Sequence, residues 1–144
     1  MFHRILVALD NSETSRAVFE KALEIAGATQ AHLMLLHVLT DEEVGYPDQS
    51  DLDRQIEQWQ NCRQKGSELL RSRQALSEKL GIQTEMTEIT GAAPREICDC
   101  AETWQADLIV MGHHDLSGIQ RFIRGSVSNY VMHYASCSVM TVQI

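Results

Sequence analysis

Runs of consecutive apolar residues alternate along this chain with stretches whose apolar positions recur every three or four residues. Residues 5–9, Ile-Leu-Val-Ala-Leu, form the first run, the pattern of a strand covered on both faces. Asp10, Asn11 and Ser12 follow with side chains suited to capping a helix, and Glu13 suits its first turn. Val18, Ala22, Ile25 and Ala26 share one helical face, and Gly27 is expected to close that helix. Residues 33–38, Leu-Met-Leu-Leu-His-Val, predict a second buried strand. Residues 40–51 are acidic and hold the first proline, so a surface loop is expected there. A long helix is predicted from about residue 52 to residue 80. Its stripe is Leu52, Ile56, Trp59, Cys62, Gly66, Leu69, Leu76 and Leu80, and Gly81 ends it.

Residues 82–89 alternate apolar with polar, with Gln83, Glu85 and Thr87 on one side, which suits a charged strand at a sheet edge. Gly91-Ala-Ala-Pro94 predicts a turn with proline at the first helical position, and a helix from there to Trp104. Residues 108–111 predict a fourth, very apolar strand, and 112–125 a loop rich in Gly, His and Ser. Ser126–Tyr134 is expected to be helical, with Val127, Tyr130, Val131 and Tyr134 on one face. Residues 139–144 predict a last strand. Strands that alternate with helices in this way predict a parallel sheet covered on both faces. No repeat or linker interrupts the pattern, so one domain over residues 1–144 is expected. Trp59 and Trp104 fall on apolar helical faces and are read as packing residues.

Composition narrows the partners. The 144 residues suffice for one domain, and 44% of them are hydrophobic; about 68–70% of the unfolded surface is buried at this size. No stretch approaches the roughly 20 apolar residues of a membrane span. Residues 1–9 are too short for a secretory signal, so a cytoplasmic location is expected. Twelve Lys and Arg against twenty Asp and Glu give a net charge of −8. Such a surface repels nucleic acid and anionic lipid, and neither is expected as a partner. A phosphate pocket stays open to it, because backbone N–H groups hold anions without net positive charge. Cys62, Cys98, Cys100 and Cys137 form no C-x-x-C pair and are expected as reduced, partly buried thiols.

In open α/β sheets the ligand lies beyond the carboxyl ends of the strands, where the strand order reverses. If the first and fourth strands flank that crevice, Asp10-Asn11-Ser12 faces Gly112-His113-His114-Asp115. The segment 111–128, MGHHDLSGIQRFIRGSVS, places Gly112 after a strand, Gly118 in mid-loop and Gly125-Ser126 at a helix start. Glycines let a backbone approach an anion, and Arg121 and Arg124 could add charge. The residues alone equally allow a plain strand-to-helix connection. His113 and His114 with Asp115 are expected to be exposed loop residues near the phosphates and not a metal site, because adjacent loop residues seldom reach one ion. There is no G-x-x-x-x-G-K-[ST] and no G-x-S-x-G, so neither a P-loop nor a serine nucleophile is expected, and no residue is assigned as catalytic.

ILVALDNSE (5–13), LLHV (35–38), GAAPREI (91–97), ADLIVMG (106–112) and GSVSNYVMHYASCSVMTV (125–142) together resemble the universal stress proteins over essentially the whole chain. The resemblance is to their ATP-binding branch, marked by G-x2-G-x9-G-[ST] after the fourth strand. It implies an open, Rossmann-like parallel sheet of five strands in the order 3-2-1-4-5, related to the adenine nucleotide α-hydrolases. It also implies a homodimer that binds an adenine nucleotide in stress response or signalling. Carried onto this sequence, Ala8 and Leu9 would back the base, Asp10 would contact the nucleoside and Val38 would hold the adenine edge through its main chain. Met111, Gly112, His114 and the 115 position would lie by the ribose or phosphates. Gly125, Ser126, Val127 and Ser128 would bind phosphate oxygens. The last strand, Val139, Met140, Thr141, Val142, Gln143 and Ile144, would pair across a two-fold axis.

The chain departs from the motif at Asp115, which stands where the second glycine belongs. Its carboxylate could repel a triphosphate or help hold Mg²⁺ against it. Two charges at 4 Å and an effective dielectric near 20 interact by about 4 kcal/mol, enough to decide whether ATP binds. ATP or ADP is the expected ligand, with AMP or another adenine compound next. Hydrolysis is expected to be slow at most, because no lysine, arginine finger or placed base serves a γ-phosphate. Two other readings compete: an interaction module that needs no nucleotide, and an α-hydrolase cleaving between α- and β-phosphates. The Ser-Gly-Gly loop usual in the latter is replaced here by Asp10-Asn11-Ser12.

Overall fold

The computed structural model describes residues 1–44, 52–113 and 125–143. Five parallel strands form one sheet: β1 (Arg4–Leu9), β2 (His32–Leu39), β3 (Thr84–Thr90), β4 (Leu108–Gly112) and β5 (Ser138–Val142). Their order is β3-β2-β1-β4-β5, as the family resemblance implies. The helices are α1 (Thr14–Thr29), α2 (Asp41–Val44), α3 (Leu52–Lys79), α4 (Ala93–Trp104) and α5 (Ser126–Tyr134).

The period of two along each strand divides the core. Ile5, Val7, Leu9, Leu33 and Leu35 pack with Val18, Phe19, Ala22 and Ala26 of α1 and Leu70 of α3. Leu6, Met34, Leu36, Val38, Ile109 and Met111 meet Ile97 and Ala101 of α4 and Val131 of α5 on the other face. Each of the larger side chains contributes about 1.5–3 kcal/mol by leaving water. That is why the central strands read as unbroken apolar runs.

Several local expectations are corrected. Helix α1 does not close at Gly27, which lies where an added Cβ would meet nothing within 4 Å. It runs on to Gln30, which takes a left-handed conformation at φ 56° and donates its N–H to the Ala26 carbonyl. Asp10, Asn11 and Ser12 do not cap α1 either; Glu13 is the capping position and makes no side-chain capping bond. The expected loop at 40–51 begins with the single helical turn α2, and residues 45–51 lie outside the described residues.

The stripe along α3 is the largest departure. Leu52 and Leu80 are 69% and 66% exposed, Ile56 and Leu76 are exposed as well, and the buried positions are Gly66, Leu70 and Ser77. Length explains this. At 1.5 Å per residue this helix is about 42 Å long, whereas a seven-residue strand such as β3 spans about 23 Å. Only part of α3 can lie on the sheet, and the burial of Gly66, Leu70 and Ser77 shows that it is the carboxyl-terminal half. The face expected of α5 is likewise narrower: Val131 is buried, but Tyr130 is exposed and Tyr134 is 62% exposed.

Both tryptophans do pack, each half-buried under an arginine. Arg4 lies 4.1 Å above the Trp104 ring and Arg63 lies 5.3 Å above that of Trp59. Asp107 accepts the amides of His3 and Arg4 at 2.7 and 3.1 Å, which ties down the amino end of the sheet. Among the described residues no helix is long and apolar enough to cross a membrane.

Candidate functional site

Strand β1 pairs with β2 on one side and β4 on the other, so the order reverses between β1 and β4. The chain leaves β1 through Asp10 and β4 through His113, which brings the two predicted segments to the carboxyl edge of adjacent strands. Asp10 is half-buried. Its Oδ1 accepts the Ser12 amide at 2.8 Å and also the Ser12 hydroxyl, while its own amide donates to Ser15 Oγ at 3.2 Å. The carboxylate is therefore held by the turn that carries the chain towards α1, in the manner of an Asx turn.

On the β4 side the ladder continues one residue past the strand, where the His113 amide donates to the Val142 carbonyl at 3.0 Å. Gly125 caps α5 in a left-handed conformation, φ 74° and ψ 18°. Its carbonyl accepts the Asn129 amide at 2.8 Å and opens the helix. The amides of Ser126, Val127 and Ser128 occupy the first turn, where an α-helix offers N–H groups no internal acceptor. That end also carries the positive pole of the helix dipole, about half a charge. His113 Nδ1 lies 2.9 Å from Ser128 Oγ, and Ser128 Oγ donates to the Gly125 carbonyl at 3.0 Å.

The structure brings most of the predicted residues to this edge but presents them differently. Leu9, Val38 and Met111 are buried in the two cores, so their backbones alone are available at the strand ends. Ala8 is half-buried against the α4–α5 core. Gly112 and Gly125 are buried, Ser126 is exposed, Val127 is half-buried and Ser128 is buried. His114 and Asp115 lie outside the described residues, as do Gly118, Arg121 and Arg124. At the far edge Val139, Met140, Thr141 and Val142 are partly exposed and Gln143 is exposed; Ile144 lies outside the described residues.

A second polar cluster went unassigned. His37, wholly buried within the apolar run of β2, places Nδ1 2.8 Å from Glu88 Oε2 of β3. Arg63 approaches the other carboxylate oxygen at 4.0 Å. Gly66 of α3 passes directly over the pair: a Cβ there would lie 2.7 Å from His37 Cε1, and nearer still to Glu88 Oε2 and His37 Nδ1. The signals were an ionisable residue inside an apolar run and a glycine in mid-helix, neither of which names its partner.

The four cysteines are half-buried. Burial pushes the Cys98, Cys100 and Cys137 thiols up, and the neighbouring Asp99, Glu96 and Asp107 carboxylates respectively add to the effect. Raised thiols are poor nucleophiles. No group of three or more His, Cys, Asp or Glu able to hold a metal is found among the described residues.

The profile of the universal stress protein family matches residues 1–143. Universal stress protein Sll1388 of Synechocystis sp. is 30% identical, over 99% of this chain and 98% of its own. The universal stress protein UspA from Lactobacillus plantarum superposes with a TM-score of 0.82 at 27% identity, covering 97% of each chain. A universal stress protein family protein from Arabidopsis thaliana, solved with AMP bound, superposes at 0.71 with 22% identity, covering 98% of this chain and 91% of that one. With the family profile spanning nearly every residue and the 3-2-1-4-5 sheet in place, this chain belongs to the universal stress protein family.

Proposed function

We propose that this chain binds an adenine nucleotide at the carboxyl edge of β1 and β4 and acts, as a homodimer joined through β5, in stress response or signalling. The observation that carries the reading is Gly125: its left-handed conformation opens α5 beside the end of β4 and leaves first-turn amides for an anion. The Arabidopsis relative with AMP bound supports an adenylate as the ligand. In this reading the base and ribose lie against the backbones of Ala8, Leu9, Asp10, Val38, Met111 and Gly112. The phosphates meet the amides of Ser126, Val127 and Ser128. The Ser128 hydroxyl is already committed to Gly125 and His113, so Ser128 serves the phosphate through its amide.

ATP or ADP is the leading ligand and AMP the next, with Asp115 and His114 deciding between them and Mg²⁺ entering with the nucleotide. The partly exposed apolar edge of β5 supports strand pairing between two copies, since an unpaired edge invites association. Isothermal titration with ATP, ADP and AMP tests the reading directly. Saturable heat with at least one of them is expected; none at millimolar concentration removes it. Sedimentation of the protein with and without a proline at position 140 tests the dimer: the wild type should run as two copies and Met140→Pro as one.

A further inference from the structure

The hydrogen bonds at the start of α5 form a chain whose direction can be worked out. Ser128 has a single hydroxyl proton, and it is donated to the Gly125 carbonyl. Toward His113 the same oxygen can then only accept, so Nδ1 must carry a proton. Neutral His113 is therefore the Nδ1–H tautomer, and the imidazolium would make the same bond. The histidine is itself tethered, because its amide donates to Val142 and extends the β4–β5 ladder. Its ring also fills the space over Gly125: a Cβ there would lie 3.0 and 3.1 Å from the ring nitrogens and closer to Cε1.

We propose that His113 is a positioning residue for the anion site. Its Nδ1–H, passed on through Ser128, holds Gly125 left-handed and fixes the direction of the first-turn amides relative to β4. The proposal rests on the nucleotide reading for its consequence, though not for its geometry. A phosphate bound by amides gains most when the donors are already aimed, because a mobile turn must be ordered at the expense of affinity. Ser128 is buried, so losing its partner leaves a polar atom without a replacement from solvent.

Three measurements test it. Nitrogen NMR of the wild-type histidines at pH 8, with the His113 signal identified by its loss in His113→Gln, should show Nδ1 protonated and Nε2 bare; the opposite tautomer overturns the proposal. His113→Asn sets an amide donor near the place of Nδ1, whereas His113→Leu keeps bulk without a donor. In the leucine variant the Asn129 amide, bonded to the Gly125 carbonyl, should exchange about tenfold faster, and in the asparagine variant at the wild-type rate. AMP affinity should follow the same order, falling about tenfold in His113→Leu and being restored in His113→Asn. Equal exchange rates in the two variants, or equal affinities, overturn it. If the wild type binds no nucleotide, the functional reading falls, and the tautomer and exchange rates alone decide the positioning role.

Discussion

Gly66 and Gly125 each lie against a histidine ring, and the two contacts have different causes. Gly66 sits in the middle of α3 with ordinary helical geometry, so it is needed for space alone: His37 and Glu88 occupy the volume a side chain would take. Gly125 is needed twice, for its φ of 74° and for the His113 ring above it. Around Gly66 the histidine is wholly buried and its partner is a carboxylate. Around Gly125 it is half-buried and its partner is a hydroxyl. The first arrangement fastens a helix onto the sheet. The second shapes the edge where a nucleotide is proposed to bind, with a neutral hydroxyl in the place of a carboxylate. A glycine pressed against a histidine is thus a packing device in one place and, in the proposed reading, a binding device in the other.

The largest test of this difference is Gly125→Asp. The new side chain meets the His113 ring, forces a left-handed aspartate and places a carboxylate at the proposed anion site. A like charge at 4 Å costs about 4 kcal/mol at an effective dielectric near 20, so nucleotide affinity should fall roughly a thousandfold. Titration with AMP reads it, and undiminished affinity would mean that Gly125 only turns the chain.

Gly66→Ala should act on stability instead. Alanine favours the helix by about 1 kcal/mol, but overpacking against a buried pair costs more, and a net loss of about 2 kcal/mol in urea unfolding is expected. The folded fraction should bind nucleotide as the wild type does. A shift in affinity without a shift in stability would erase the distinction between the two glycines.

Glu88→Ala removes one hydrogen-bond partner of a buried ring and should lower stability by about 1–3 kcal/mol, with Glu88→Gln recovering part of it by keeping an oxygen within reach of His37 Nδ1. Arg63→Ala should cost less than about 1 kcal/mol, since its contact at 4.0 Å is made from an exposed side chain.

The smallest effect concerns the α4–α5 face, which holds thiols where the α3 side holds the hydrogen-bonded His37 and Glu88. Cys98, Cys100 and Cys137 have raised pKa values in the folded chain. They should react with iodoacetamide at pH 8 more slowly than the same thiols in urea. The sign for stability follows. As pH rises past the ordinary thiol range the unfolded chain releases protons that the native chain retains, so these groups favour unfolding there. Equal alkylation rates in the folded and unfolded protein would show that burial leaves the thiols unprotected.

The sequence by itself determined the alternation of strands and helices, the parallel sheet covered on both faces, the helical start at Ser126 and the glycine before it. Those features depend on local composition: an unbroken apolar run such as 108–111 suits a strand buried on both sides, and a glycine ahead of a helix suits a left-handed turn. Only the tertiary structure decided that the amino-terminal half of α3 runs beyond the sheet and leaves Leu52 and Ile56 in water, because periodicity carries no record of how far the partner surface extends. It also decided that His37 meets Glu88, 51 residues away, and that His113 meets Ser128, 15 residues away. Such bonds arise where two segments cross in space, and a hydrogen bond between remote residues leaves no pattern in either segment.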